Sequence, residues 1–180
     1  MPFHQTDIDG LIVFAPKVWG DDRGYFFESY NEKIFAQAGI DAQFIQDNQA
    51  RSTKGVLRGL HYQIGDFAQA KLVRVLEGEV LDVVVDIRTD SPTYGQSFSI
   101  LLSSQNKKQL FVPRGFAHGY VVLSETAEFF YKVDNWYAKE SEGGIRWDDP
   151  QLKIDWQMDH AEIQLSEKDK ILPIFGSHRK

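Results

Sequence analysis

Short apolar runs alternate with polar positions along most of the chain, punctuated by turn signals such as Asp9-Gly10, Gly20-Asp21-Asp22 and Glu142-Gly143-Gly144. A period of two sends successive side chains to opposite faces of a strand, so the pattern predicts an all-β sandwich or barrel. From residue 43 to 137 everything reads as strands, with segments at Lys71–Leu76, Val80–Arg88, Gln96–Ser103, Leu110–Val112, Gly119–Leu123 and Glu128–Asn135. The first two are expected to pair as a hairpin through Glu77-Gly78-Glu79, where glycine supplies a positive φ. In the second, Leu81, Val83, Val85 and Ile87 point one way, while Val80, Asp82, Val84, Asp86 and Arg88 point the other and place two carboxylates on that face. In the last segment Phe129, Tyr131 and Val133 share a face, and Phe130, Lys132 and Asp134 share the opposite one. One short helix is predicted over Asn31–Ala38, with Asn31 as N-cap and Gly39 as the stop. Beyond Ala138 the alternation fades, and loops with short helical turns are expected.

With 180 residues, 42% of them hydrophobic, the chain is read as a single domain over 1–180. A chain of that size buries roughly 70% of its unfolded surface. No run of about 18 apolar residues is present, so no membrane partner is expected. The start, Met-Pro-Phe-His-Gln, carries no secretory pattern, which makes the cytoplasm the expected compartment. The absence of cysteine rules out disulfides, thiolate metal sites and thiol nucleophiles together. A net charge of −6 argues against a nucleic-acid surface, while a few clustered arginines still suffice for a small anion.

Of the five histidines, His61 in Arg58-Gly-Leu-His61-Tyr-Gln63 and His118 in Pro113-Arg-Gly115-Phe-Ala-His118-Gly lie in strand-like segments beside glycines. The second segment resembles the Pro-x-Gly-x-x-His signature of the cupin superfamily. Metal-binding cupins add a His-x-His pair on an earlier strand, since alternate positions project two imidazoles into the barrel. Here that pair reads His61-Tyr62-Gln63, one imidazole short, and an amide is a poor substitute ligand for a first-row metal. The expectation is a cupin-type antiparallel β-barrel, a jelly roll with a few short peripheral helices, without metal or cofactor, in which His61 is free to act as a base.

A longer series is more specific: Arg23-Gly-Tyr-Phe26-Phe-Glu28-Ser, Gln46-Asp47-Asn48, Arg58-Gly-Leu-His61-Tyr-Gln63, Gln69-Ala-Lys71-Leu-Val-Arg74 and Asp86-Ile-Arg88 occur in succession. Asp90-Ser-Pro-Thr-Tyr-Gly95, Tyr131-Lys132, Glu142-Gly-Gly-Ile-Arg-Trp147 and Leu165-Ser-Glu-Lys168-Asp169 continue it. Over residues 10 to 172 the chain resembles the dTDP-4-dehydrorhamnose 3,5-epimerases. Their reaction inverts carbons 3 and 5 on either side of the 4-keto group of a dTDP-linked 6-deoxyhexose, on the route to dTDP-L-rhamnose.

The resemblance implies His61 as base, Asp169 as its orienting carboxylate, Lys71 as the cation facing the enolate oxygen, and Tyr131 as proton donor on the far face. Each role meets a chemical need, because a proton beside a ketone becomes removable only if the enolate is stabilised. By the same resemblance Arg23, Arg58 and Lys168 hold phosphate, and Phe26 and Tyr137 sandwich the base. Glu28, Gln46, Asp47, Asn48, His118 and Glu142 contact substrate. Asp82 is expected to buttress His118. The resemblance further implies a homodimer in which an N-terminal strand crosses to the partner's barrel. Three rival readings are a single-site 3- or 5-epimerase, a metal-dependent cupin, and a non-catalytic sugar-nucleotide binding module.

Overall fold

The structure is a computed structural model that describes residues 2–179. Its strands, in chain order, are β1 (Phe3–Gln5), β2 (Ile12–Phe14), β3 (Trp19–Asp21), β4 (Gly24–Phe26), β5 (Gln46–Thr53), β6 (Leu57–Gln63) and β7 (Lys71–Glu77). They continue as β8 (Glu79–Asp86), β9 (Ser97–Ser103), β10 (Gln109–Val112), β11 (Phe116–Val122), β12 (Thr126–Val133) and β13 (Glu142–Gly144). Two short helices, α1 (Glu32–Gln37) and α2 (Glu167–Lys170), accompany them. No helix among the described residues is long and apolar enough to cross a membrane.

Two antiparallel sheets face each other as a jelly-roll barrel. One runs β1-β2-β10-β7-β12-β5, and the other β13-β6-β11-β8-β9. Between them Val73, Val75, Val80, Val84, Leu110, Phe116 and Phe129 form an apolar core that closes one part of the barrel. On β8 the predicted alternation is realised with both faces buried: Val80, Asp82 and Val84 look inward, while Leu81, Val83 and Val85 look outward under Ile145, Leu152, Trp156 and Phe175. The C-terminal third therefore lies as a sleeve over the second sheet. Asp149 pins it by accepting from the amides of Gln151, Leu152 and Phe175. On the outside of the first sheet, α1 seats Phe35 against Phe14 and Leu72. Its Asn31 cap accepts from the Ile34 amide, and Gly39 takes the left-handed stop at φ 86°.

The hairpin expected at Glu77-Gly78-Glu79 does not form. β7 pairs with β10 and β12, β8 pairs with β9 and β11, and the two strands belong to opposite sheets. Gly78 does have a positive φ, of 76°, but it serves a crossing from one sheet to the other, where a Cβ would lie 2.1 Å from the Thr126 carbonyl oxygen. A second correction concerns residues 43 to 137, which are interrupted by a 3-10 turn at Gly65–Phe67 and by the loop that follows β8. From that loop Arg88, Ser91 and Thr93 donate to Asp86, the last residue of β8 and the second carboxylate of its face.

Candidate active site

The open part of the barrel is a cavity of about 490 Å³. Its walls come from both sheets. Lys71 on β7 and Tyr131 on β12 share the inward face of the first sheet, and β6 and β11 contribute Arg58, His61, His118 and Tyr120 from the second. Lys168 and Asp169 on α2 border the same space. A recess continuing from it, lined by His61, Lys71 and Tyr131, reaches Tyr137 and Glu142.

Arg58 and His61 are three positions apart, which on a regular strand would put them on opposite faces. The register between β6 and β11 slips here. His61 stands opposite His118, yet Arg58 stands opposite Tyr120, so one extra residue is accommodated on β6 and both side chains turn inward. Glycine makes this possible: a Cβ on Gly59, at φ 134°, would lie 2.5 Å from the Gly119 Cα.

His61 Nε2 lies 2.6 Å from Asp169 Oδ1. Burial pushes the Asp169 carboxyl up, but hydrogen bonds from His61 and Ser166 and the charges of His61 and Lys168 outweigh it and hold the group below the ordinary carboxylate range. An ionised Asp169 fixes the imidazole proton on Nε2 and leaves the Nδ1 lone pair for chemistry. Asp169 occupies a charged stretch of sequence but is itself buried, drawn in by this contact and by the Ser166 cap of α2.

Burial lowers the Lys71 ammonium to about 8, with Asp82 and Glu142 pulling partly the other way. Tyr131 is pushed upward by burial, with the Arg58 charge opposing, so its phenol holds a proton at neutral pH. Asp82, wholly buried, meets His118 Nε2 through both carboxylate oxygens at 3.0 and 2.9 Å, as expected of a buttress. At the cavity mouth Lys168 bonds Glu142 at 2.5 Å, and the Tyr137 hydroxyl donates to the other Glu142 oxygen at 3.1 Å. Arg58 donates twice to Ser52 Oγ. Three cations around a pocket in an anionic protein make a local well for a small anion.

A sequence model described as dTDP-4-dehydrorhamnose 3,5-epimerase matches residues 5–177. The chain belongs to the dTDP-4-dehydrorhamnose 3,5-epimerase family. A relative of that name from Pseudomonas aeruginosa is 57% identical over 164 residues, covering 91% of this chain and 90% of the other. The crystal structure of dTDP-4-dehydrorhamnose 3,5-epimerase from Elizabethkingia anophelis is similar with a TM-score of 0.93 and 51% identity, covering 97% of this chain and 96% of that one. A Legionella pneumophila dTDP-6-deoxy-D-glucose-3,5-epimerase in complex with dTDP-4-keto-L-rhamnose is similar at 0.93 and 49% identity, covering 97% and 93%.

Of the epimerase-family positions expected from the sequence, His61, Lys71, Tyr131, Asp169, Arg58, His118, Lys168, Tyr137 and Glu142 are brought together. Gln46 and Asn48 sit on β5 facing the same way as Tyr131 and bond each other. Asp47 points to the opposite face of β5 and pairs with Lys132, because neighbouring strand positions alternate. Arg23, Phe26 and Glu28 do not reach the cavity of their own chain. They belong to the β3–β4 hairpin and the residues after it; among the described residues the hairpin pairs with no other strand, and it leaves Trp19 48%, Tyr25 61% and Phe26 66% exposed. Among the residues that escaped the sequence reading are Ser52, which Arg58 bonds, and Tyr120 in the cavity wall. Period-two continuation from Asn48 and from His118 identifies both as inward.

Proposed function

We propose that this chain inverts carbons 3 and 5 of dTDP-4-dehydro-6-deoxy-D-glucose to give dTDP-4-dehydro-L-rhamnose, in the cytoplasmic supply of dTDP-L-rhamnose for cell-surface polysaccharide. The observation that carries this reading is the His61–Asp169 contact on one wall of a cavity whose other wall presents Lys71 and Tyr131. In the reaction, His61 Nδ1 takes the proton from the carbon beside the ketone, and the C–H electron pair moves into the ring to leave charge on the keto oxygen. The Lys71 ammonium stabilises that charge, more strongly than it would in water. Tyr131 returns a proton to the opposite face of the same carbon. His61 and Tyr131 then exchange protons with solvent, and the cycle repeats at the second carbon.

Arg58, Lys168, His118, Gln46, Asn48, Glu142 and Tyr137 bind the nucleotide and sugar in this reading. Arg23, Phe26 and Glu28 act on the partner's cavity within a homodimer, carried there by the exchanged β3–β4 hairpin. The exposed aromatics of that hairpin support the exchange, since burying them gives the crossing its driving force. Asp47 retains a substrate role only if its pair with Lys132 rearranges. The whole chain acts as one domain.

Incubation of dTDP-4-dehydro-6-deoxy-D-glucose in heavy water tests the reading. Label is expected at both carbons with the wild type and at neither with His61→Asn, while dTDP binding by the variant persists. Label at one carbon only would replace the proposal with a single-site epimerase.

A further inference from the structure

Gln63 occupies the position where a metal-binding cupin would carry its second histidine, and it is buried with every polar group engaged. Its Nε2 donates to the carbonyls of Phe67 at 2.6 Å and Trp136 at 3.0 Å, and its Oε1 accepts from the Ala138 amide at 2.7 Å. The amide orientation is forced, because the nitrogen faces two carbonyls and the oxygen faces an N–H. The bonds to Trp136 and Ala138 bracket Tyr137, which is 60% exposed and so only partly held by packing. Gln63 also stands opposite Glu142 in the β6–β13 ladder, and Glu142 receives the Tyr137 hydroxyl. Two cross-strand neighbours thus hold the backbone on either side of Tyr137 and the tip of its ring.

We propose that Gln63 is a positioning residue for nucleotide binding, holding the 136–138 segment so that the Tyr137 ring waits in its binding pose at the recess it shares with His61, Lys71 and Tyr131. The inference rests on the reading of Tyr137 as a nucleotide contact. Its physical content is preorganisation: an exposed loop tied down before binding does not lose its freedom when the ligand arrives. Because the amide touches neither the reacting carbons nor the groups that move protons, its loss falls on affinity and not on the chemical step.

The test is a double-mutant cycle on the full-length protein with Gln63→Met, which keeps the length of the side chain, and Tyr137→Ala. We expect Gln63→Met and Tyr137→Ala each to raise KM and the dTDP dissociation constant about tenfold with kcat held within about twofold, and the double variant to be no worse than Tyr137→Ala alone. Additive losses, or a fall in kcat with KM unchanged, would overturn the positioning role while leaving the Tyr137 assignment intact. No effect of Tyr137→Ala on KM would remove that assignment and the inference with it. Should Gln63→Met fail to fold, amide exchange in the wild type still decides: the Ala138 N–H is expected to be protected to the level of the barrel strands, and exchange at the rate of an open loop would refute the strap.

Discussion

His61 and His118 face each other directly across β6 and β11, and each leans on its own buried carboxylate, Asp169 for the first and Asp82 for the second. The two imidazoles share a cavity but not a partner. His61 draws its acid from a segment that arrives over the barrel from outside, whereas the His118 acid belongs to the neighbouring strand β8.

Asp82→Asn is expected to lower kcat/KM about tenfold while the protein still melts cooperatively, because the amide keeps the size of the carboxylate and loses its charge. The pH profile offers a second readout. Asp82 helps keep Lys71 protonated, so its neutralisation shifts the alkaline limb of activity to lower pH. Unchanged kinetics and an unmoved limb would show that the pair is only structural.

Lys71 should make activity and stability respond to pH in opposite senses. Folding lowers its pKa from 10.5 to about 8, so between those values the folded chain holds fewer protons on this group than the unfolded chain does. The penalty of a buried ammonium is full below about 8 and is relieved as pH rises through that window, while the cation that the proposed reaction needs at the enolate oxygen disappears. Lys71→Met is therefore expected to raise the melting temperature at neutral pH and to lower kcat by ~10²–10³. A variant that loses activity and melts lower would contradict this account.

Gly59→Ala tests the bulge that turns Arg58 and His61 to one side. A methyl group there meets the Gly119 backbone at 2.5 Å in a region of φ unfavourable to alanine. The other close atoms, the His118 carbonyl oxygen and the Gly119 nitrogen, are backbone too, so nothing flexible can move away. The expected result is a melting temperature lower by more than 5 °C, on the order of 1 kcal/mol or more, with residual activity below one tenth. A fully active, fully stable alanine variant would remove the steric argument.

Asp86 gives an acid-side prediction. Burial pushes its carboxyl up, but hydrogen bonds from Arg88, Ser91 and Thr93 outweigh that and hold it at about 2. The group's contribution is complete above its ordinary value near 3.8 and disappears as pH falls through about 2. Asp86→Ala strands the Arg88 partner and should cost on the order of 3 kcal/mol at pH 7 in a denaturant titration, with little left of that difference at pH 2. An equal cost at both pH values would assign it to packing.

Much of this was legible in the amino-acid order. Period two located β8, β9 and β12 and assigned the faces of β8 and β12, and the Asn31 and Gly39 signals bounded α1. Pairing was not legible at Gly78, since a positive φ serves a crossing between sheets as well as a hairpin. The strands β1 to β4 span three residues each, too few for alternation to register. The inward turn of both Arg58 and His61 depends on two glycine backbones that meet only after the strands pair. Asp169 reads as one more surface charge until His61 is placed beside it. Arg23, Phe26 and Glu28 show the remaining limit: sequence marks them as a group, and their own fold keeps them away from their own cavity.

His61 and the carboxylate it meets, Asp169, are separated by 108 residues. During synthesis His61 leaves the ribosome long before the sleeve that bears Asp169 has been made. A polypeptide ending short of residue 165 lacks Asp169, so under the proposed reaction its imidazole has no carboxylate and turnover reports that the last segment is in place.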